Sequence, residues 1–213
     1  MDCQLDSKPR WERRKEARPQ ELLAAAIELF VERGFASTRL EDVARRAGVS
    51  KGTLYLYYAN KEDLFKAVVR QSIVPVIGDA ETSVAEFDGH SAELLRHVIL
   101  NWWHRVGATN ASGISKLILA ESDNFPELAR FYQQEVMTRG IGMLSSMLER
   151  GVRRGEFRVV DIAQTAQVLI APLLMLSTWK HTIAPCERCD LQPEAFLEAF
   201  LDITLRGLVT APV

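Results

Sequence analysis

Only three residues, Gly48, Val49 and Ser50, separate two stretches whose apolar residues recur with helical spacing. So short a joint forces the two helices into a sharp corner over one shared core. Upstream, Leu40, Val43, Ala44 and Ala47 stand at i, i+3, i+4 and i+7, a single stripe on one face. Downstream, a helix predicted over Lys51 to Tyr58 turns Leu54 and Tyr58 inward. Gly48 supplies the backbone freedom for the turn, and Val49 reads as the buried pin between the helices. A preceding helix, from near Pro19 to a glycine cap at Gly34, carries Leu23, Ala26, Ile27 and Phe30 at the same spacing. Thr38 with Glu41 has the pattern of a capping box opening the second helix. Ser50 caps the third, and Asn60 caps a fourth that begins Lys61-Glu62-Asp63. The expected product is a three-helix unit built around a helix-turn-helix.

The face of the third helix that points away from this core holds Gly52, Thr53 and Leu56, flanked by Lys51 and Tyr55 on one side and Tyr57 on the other. A small residue allows close approach, an apolar side chain can meet thymine methyl groups, and hydroxyls can reach base edges or phosphates, so the face suits a DNA major groove. Residues 19 to 66, centred on TRLEDVARRAGVSKGTLYLYYANKEDLF, resemble the DNA-binding domain of TetR-family transcriptional regulators, whose signature reads close to GVSKGTLYxYFxxKExL. Tyr58 stands where phenylalanine is more usual, and Leu56 occupies a position that varies between members. The resemblance implies base or phosphate contacts from Thr38 and Arg39, from Ser50, Lys51, Gly52, Thr53, Tyr55, Leu56 and Tyr57 on the recognition helix, and from Lys61. It implies a domain core of Leu40, Val43, Ala44, Val49, Leu54 and Tyr58.

A formal net charge of -2 argues at face value against a polyanionic partner. The charge is unevenly placed, however. Residues 8 to 60 hold eleven lysines and arginines against seven acidic residues, whereas residues 61 to 213 hold fifteen against nineteen. A basic N-terminal quarter is thus joined to an acidic remainder, the asymmetry expected when one part meets DNA and the other does not. Residues 1 to 7 add only Asp2 and Asp6, and residues 1 to 18 form an arm with Lys8, Arg10, Arg13, Arg14, Lys15 and Arg18, which the resemblance implies can reach phosphates or the adjacent minor groove.

The expected organisation is all-α: the arm (1–18), the helix-turn-helix domain (19–65) and a larger helical domain (66–213), with about nine helices in total. Beyond the third helix these run approximately 61–87, 91–108, 112–122, 126–154, 160–183 and 193–209, with a kink or interruption at Pro75 and at Pro172 and a weakened helix at Gly140 and Gly142. The resemblance assigns ligand sensing and dimerisation to this region. The last two helices are apolar on more than one face, and a two-fold four-helix bundle through Leu169, Leu173, Leu176, Phe196, Phe200, Leu201, Leu205 and Leu208 is the expected homodimer interface. A ligand pocket is expected among Trp102, Trp103, His104, Phe125, Phe131, Met137, Met143, Met147, Met175 and Trp179, with Tyr132 and His181 also candidates and Asn101, Glu121, Asp123 and Gln134 as polar partners. Adjacent residues on a helix point about 100° apart, so at most one of Trp102 and Trp103 faces the core.

No glycine-rich phosphate loop, nucleophile elbow, HExxH or Ser/His/Asp grouping is present, so the chain reads as no enzyme. No cofactor or metal is expected. His90, His97 and His104 are spaced too far along a helix to share an ion, and Cys186-Glu187-Arg188-Cys189 supplies two of the four ligands a structural zinc site needs. The longest apolar run, Val168 to Leu176, is about half of what a bilayer requires, and three cysteines without an export signal point to a reducing, cytoplasmic setting. The resulting expectation is a dimeric repressor that leaves a palindromic operator when a small, largely apolar effector binds. Two alternatives stay open: a helix-turn-helix protein acting through protein partners without an effector, and a redox sensor using Cys186 and Cys189.

Overall fold

The computed structural model describes the backbone of residues 10–182 and 191–210, and side chains from Pro19 onward. Cys186, Cys189 and the side chains of the basic arm lie outside the described residues. Within them the chain is helical throughout, apart from an isolated antiparallel bridge between Phe157 and Val209. It divides into two compact units, residues 1–68 and 69–213.

The first unit contains α1 (Arg10–Arg33), α2 (Leu40–Arg46), α3 (Lys51–Tyr55) and the first residues of α4 (Lys61–Ser72). Helix α1 begins at Arg10 rather than near Pro19. The residues WERRKEAR ahead of the proline are mostly good helix formers, and the missing proline N–H removes one rung from a 24-residue helix. At the start of α2 the expected capping box does not form. Arg39 is the N-cap, and Thr38, only 2% exposed, donates its hydroxyl to the Gly34 carbonyl at 2.7 Å and the Leu29 carbonyl at 3.2 Å. Helix α3 is shorter than Lys51 to Tyr58 because the N–H groups of Tyr57 and Tyr58 both converge on the Leu54 carbonyl, each at 3.0 Å, which tightens the last turn and ends the ladder. At the centre Phe35 and Phe65 meet edge to face at 5.7 Å and Phe30 lies 5.5 Å from Phe35, over fully buried Leu22, Leu29, Leu54 and Leu64.

The second unit receives the end of α4 and continues with α5 (Val74–Glu86) and α6 (Ser91–Trp102), the latter running into a π-helical turn, Trp103–Gly107. After a 3₁₀ turn (Asn110–Ser112) come α7 (Gly113–Glu121) and α8 (Pro126–Tyr132). A second π turn, Gln133–Thr138, then leads into α9 (Arg139–Arg153), followed by α10 (Ile162–Thr182) and α11 (Pro193–Leu208). Pro75 ends up in the first turn of α5, where a missing N–H costs nothing, and the long helix expected over 61–87 is interrupted at Ile73, whereas Pro172 stays inside an α10 that is helical from Ile162 to Thr182. Counted as rods, with that break and the π turns bridged, the described residues hold the nine helices expected. Gly151 sits directly under the Phe157 ring, which leaves no room for a Cβ there.

Helix α10 packs on α7 and α9, and α11 closes over α6 and α10. Five of the eight residues expected at a dimer interface are thereby covered within the chain. Leu169, Leu173, Leu176, Leu201 and Leu208 are buried inside the single chain, and Phe196, Phe200 and Leu205 pack against the same core. The physical reason is that both helices bury their leucine face at home, leaving a different stripe outward: Val168, Ala171 and Met175 on α10, with Ala195, Ala199 and Ile203 on α11. Over its 21 residues α10 also has the length and hydropathy of a membrane span, further than the nine-residue run suggested, but here it is a packed helix with Ala166, Leu169, Leu173, Leu176 and Ser177 buried.

Candidate DNA-reading helix and ligand cavity

Gly48 adopts φ +67°, a left-handed conformation that glycine takes without strain, and its N–H bonds to the Arg45 carbonyl at 3.1 Å. The next residue returns to the second helix, with the Val49 N–H on the Ala44 carbonyl at 2.9 Å; Val49 is half-buried rather than fully enclosed. Ser50 then caps α3 by accepting from the Thr53 N–H at 3.0 Å, and its hydroxyl lies 2.9 Å from that of Thr53. In α3 only Leu54 is buried. Tyr55, Leu56 and Tyr57 stand exposed, Leu56 at 83%.

The basic residues nearest this helix differ in how free they are. Lys51 pairs with Glu41 across α2 and α3 and lies 5.6 Å from the Tyr55 ring centre. The hydrogen bond to Lys51 holds the Glu41 carboxyl below its ordinary value. Arg46 bridges Glu28 and Glu32 of α1, which ties α2 to α1. Lys61 points inward: its ammonium donates to the Phe35 carbonyl at 2.7 Å and the Ala36 carbonyl at 3.0 Å, and sits 4.5 Å from the Phe35 ring centre. Of the residues assigned to DNA by resemblance, Arg39, Ser50, Lys51, Gly52, Tyr55, Leu56 and Tyr57 are exposed and Thr53 is half-buried. The other two are engaged within the unit: the buried Thr38 turns its hydroxyl inward, and the half-buried Lys61 braces the turn after α1 with its ammonium.

The second unit encloses an apolar cavity of about 70 Å³ between α5, α6, α7, α9 and α10. Its walls include Ile73, Val76 and Ile77 from the start of α5, Val98, Ile99 and Trp102 from α6, and Ile170, Leu173 and Leu174 from α10. Both π turns reach it, through Val106 in one and Val136 and Met137 in the other. A π turn inserts an extra residue and rotates the helix that follows, which turns Gly140, Met143 and Leu144 toward the space. Asn101, Ser115 and Tyr132 are the polar residues of the wall, and none of its residues is charged.

Of the pocket residues expected from sequence, Trp102, Met137 and Met143 line this cavity, as do Tyr132 and Asn101. The rest do not. Trp103 and Met147 are buried in the core beside it, Phe131 lies 5.1 Å beneath the Arg70 guanidinium, Phe125 precedes α8 half-buried, His104 and Met175 face outward, and Trp179 is half-buried near the end of α10. The tryptophan pair divides as expected, one toward the cavity and one toward the core, with ring centres 6.4 Å apart. His181 accepts or donates at 2.8 Å with the Ser112 hydroxyl, and burial together with Lys180 and Lys116 lowers its pKa. His90 caps α6 by accepting from the Ala92 N–H at 3.1 Å. Ser115 was missed because a lone serine in an apolar helix carries no pocket signal.

A helix-turn-helix with an outward third helix, followed by a larger helical unit, is the organisation of a helix-turn-helix transcriptional regulator. Residues 22–68 match the model for bacterial regulatory proteins of the tetR family, and residues 93–195 match the model of the AefR-like transcriptional repressor C-terminal domain; the chain belongs to the TetR family. It is 25% identical to the fatty acid metabolism regulator protein of Bacillus subtilis over 169 residues, covering 78% of this chain and 86% of that one. The structure of the regulator FadR from Bacillus subtilis in complex with stearoyl-CoA superposes with a TM-score of 0.73 at 24% identity, covering 88% of this chain and 98% of the other. A transcriptional regulator from Saccharomonospora viridis in complex with choline gives the same TM-score at 19% identity, over 92% and 100% of the two chains.

Proposed function

We propose that this TetR-family regulator is a cytoplasmic repressor that binds a palindromic operator as a homodimer and releases it when a small, largely apolar effector fills the cavity of the second unit. The observation that carries the reading is the composition of α3 and its end: one buried leucine, and an outward face of glycine, hydroxyls, two tyrosines and a leucine that a merely solvated helix would not carry. Regulators of the same fold hold stearoyl-CoA and choline, which supports a ligand-sensing role for the second unit without naming its ligand here.

The homodimer rests on the outward stripe of α10 and α11, not on the leucines first expected. Val168, Met175 and Ile203 are large apolar residues at 66%, 50% and 72% exposure, and the small Ala171, Ala195 and Ala199 beside them allow helices of a second copy to pack closely. A two-fold symmetric operator read in successive major grooves has half-sites about 34–36 Å apart, the spacing that a homodimer of such readers would have to match. Ligand control follows from chain continuity. Helix α4 crosses the boundary between the units and ends at Ser72, and the next residue, Ile73, is part of the cavity wall. A ligand that binds one setting of α4 better than another shifts the population toward it by its difference in affinity.

Selection of bound fragments from genomic DNA by the purified protein tests the reading. A two-fold symmetric consensus is expected, together with a mass in solution of twice the 24.0 kDa chain. Recovery of no consensus would remove the operator from the account.

A further inference from the structure

The cavity wall contains one piece of unfinished hydrogen-bond chemistry. Ser115 of α7 and Tyr132 at the end of α8 place their hydroxyls 3.0 Å apart, and both residues are more than nine-tenths buried. Two hydroxyl groups bring two hydrogens, and the bond between them uses one. Whichever oxygen accepts still has its own hydrogen to donate, and the structure gives neither group a second partner among the described residues. A buried donor without an acceptor costs about as much as a lost hydrogen bond, so such groups are retained where something accepts from them. The surrounding wall is apolar except for the Asn101 amide. Burial raises the Tyr132 phenol above its ordinary range, which keeps it protonated and therefore a donor at neutral pH.

We infer that the cavity recognises an uncharged apolar molecule carrying an acceptor oxygen, a ketone or ester carbonyl, which takes the spare hydrogen of the Ser115 and Tyr132 pair. This deepens the ligand-sensing reading given above and rests on it. A carboxylate is disfavoured because the wall offers no cation, and an uncompensated buried charge is far costlier than an unpaired dipole. Size sets a second limit. One water takes up roughly 10–15 Å³ of such space and about 30 Å³ of liquid, so 70 Å³ corresponds to about five to seven waters, the liquid volume of a molecule of roughly six non-hydrogen atoms.

Three probes of about six non-hydrogen atoms separate the possibilities: 2-pentanone, n-hexane and butanoate, titrated into the full-length protein with intrinsic tryptophan fluorescence, to which Trp102 on the cavity wall contributes, as readout. The ketone gives up hydrogen bonds to water on entering the cavity, so its affinity relative to n-hexane is compared between proteins. Tyr132→Phe or Ser115→Ala alone leaves one hydroxyl with a hydrogen to offer and keeps the wild-type ratio of the two affinities. The double variant is expected to lower that ratio about fivefold to tenfold, the worth of one buried hydrogen bond, while still binding n-hexane, which also shows that the cavity has survived. Butanoate is expected to bind weakest. An unchanged ratio in the double variant would overturn the hydrogen-bond assignment and leave the apolar site standing. Binding of none of the three would remove the cavity as a ligand site. Should the double variant fail to fold, the carbonyl stretch of 2-pentanone bound to the wild-type protein decides: a shift below its position in hexane is expected, and no shift would overturn the assignment.

Discussion

The same chemical change made two residues apart on the recognition helix should have opposite consequences. Leu54 is fully buried and Leu56 is 83% exposed. Leu54→Ala removes the fully buried side chain of α3, and cavity formation in such a core costs about 2–5 kcal/mol. That is a large share of the 5–15 kcal/mol by which domains are typically stable. For Leu56→Ala the covered part of the side chain is about a sixth. Full burial of a leucine is worth about 1.5–3 kcal/mol, so the loss is roughly 0.3–0.5 kcal/mol, within the usual scatter of surface substitutions. Alanine and leucine differ little in helix propensity, which adds no further term. On DNA the order reverses. Leu56→Ala alters no charge, so affinity for random DNA and the dependence on salt should stay as in the wild type, while the selected operator loses about 1 kcal/mol or more, roughly fivefold in Kd. Urea unfolding followed by circular dichroism and titration of operator and random duplexes at two salt concentrations would measure all of this. A Leu56→Ala protein as unstable as Leu54→Ala, or one with unaltered preference for the operator, would refute the placement of this face on DNA.

Lys61→Ala should act chiefly through stability, lowering it by about 1.5 kcal/mol or more, because the ammonium bonds to the Phe35 and Ala36 carbonyls; a normal unfolding midpoint with a reduced salt slope on DNA would restore it to the phosphate contacts. Ile203→Glu puts a charge in the outward apolar stripe and should halve the mass seen by light scattering without unfolding the chain, whereas an unchanged mass would move the interface elsewhere. His181 has a pKa below its ordinary 6.5, so the folded chain holds it neutral while the unfolded chain takes up a proton first as pH falls. Its contribution is therefore intact above about pH 6.5 and declines below it, and His181→Gln should flatten the fall in stability between pH 7 and 5, which thermal melts across that window would show.

The corner at Gly48 was legible because everything that makes it is local: a glycine able to adopt positive φ, a serine able to cap, and apolar residues at helical spacing on both sides. The outward position of Leu56 follows from the same period of 3.6 residues once Leu54 is placed inside. Thr38 shows where local reading fails. Its sequence context fits a cap, yet its hydroxyl is drawn to the Gly34 and Leu29 carbonyls left at the end of α1, a demand set by how two helices pack. The leucines of α10 and α11 fail in the same way. Sequence showed that both helices have more apolar surface than one stripe needs, but it could not say which face their own chain would cover.

What the sequence determined by itself is therefore the helical architecture, the helix-turn-helix and the face it presents, since these depend on neighbours within one or two turns. Tertiary structure alone decided that Lys61 braces a turn, that Val168, Met175 and Ile203 are left outward, and that Ser115, Asn101 and Tyr132 share one cavity wall. Those outcomes depend on side chains far apart in sequence competing for the same space and the same hydrogen-bond partners. The two π turns add to the difficulty, because each shifts the register of the helix behind it and sends later residues to a face that the regular period does not predict.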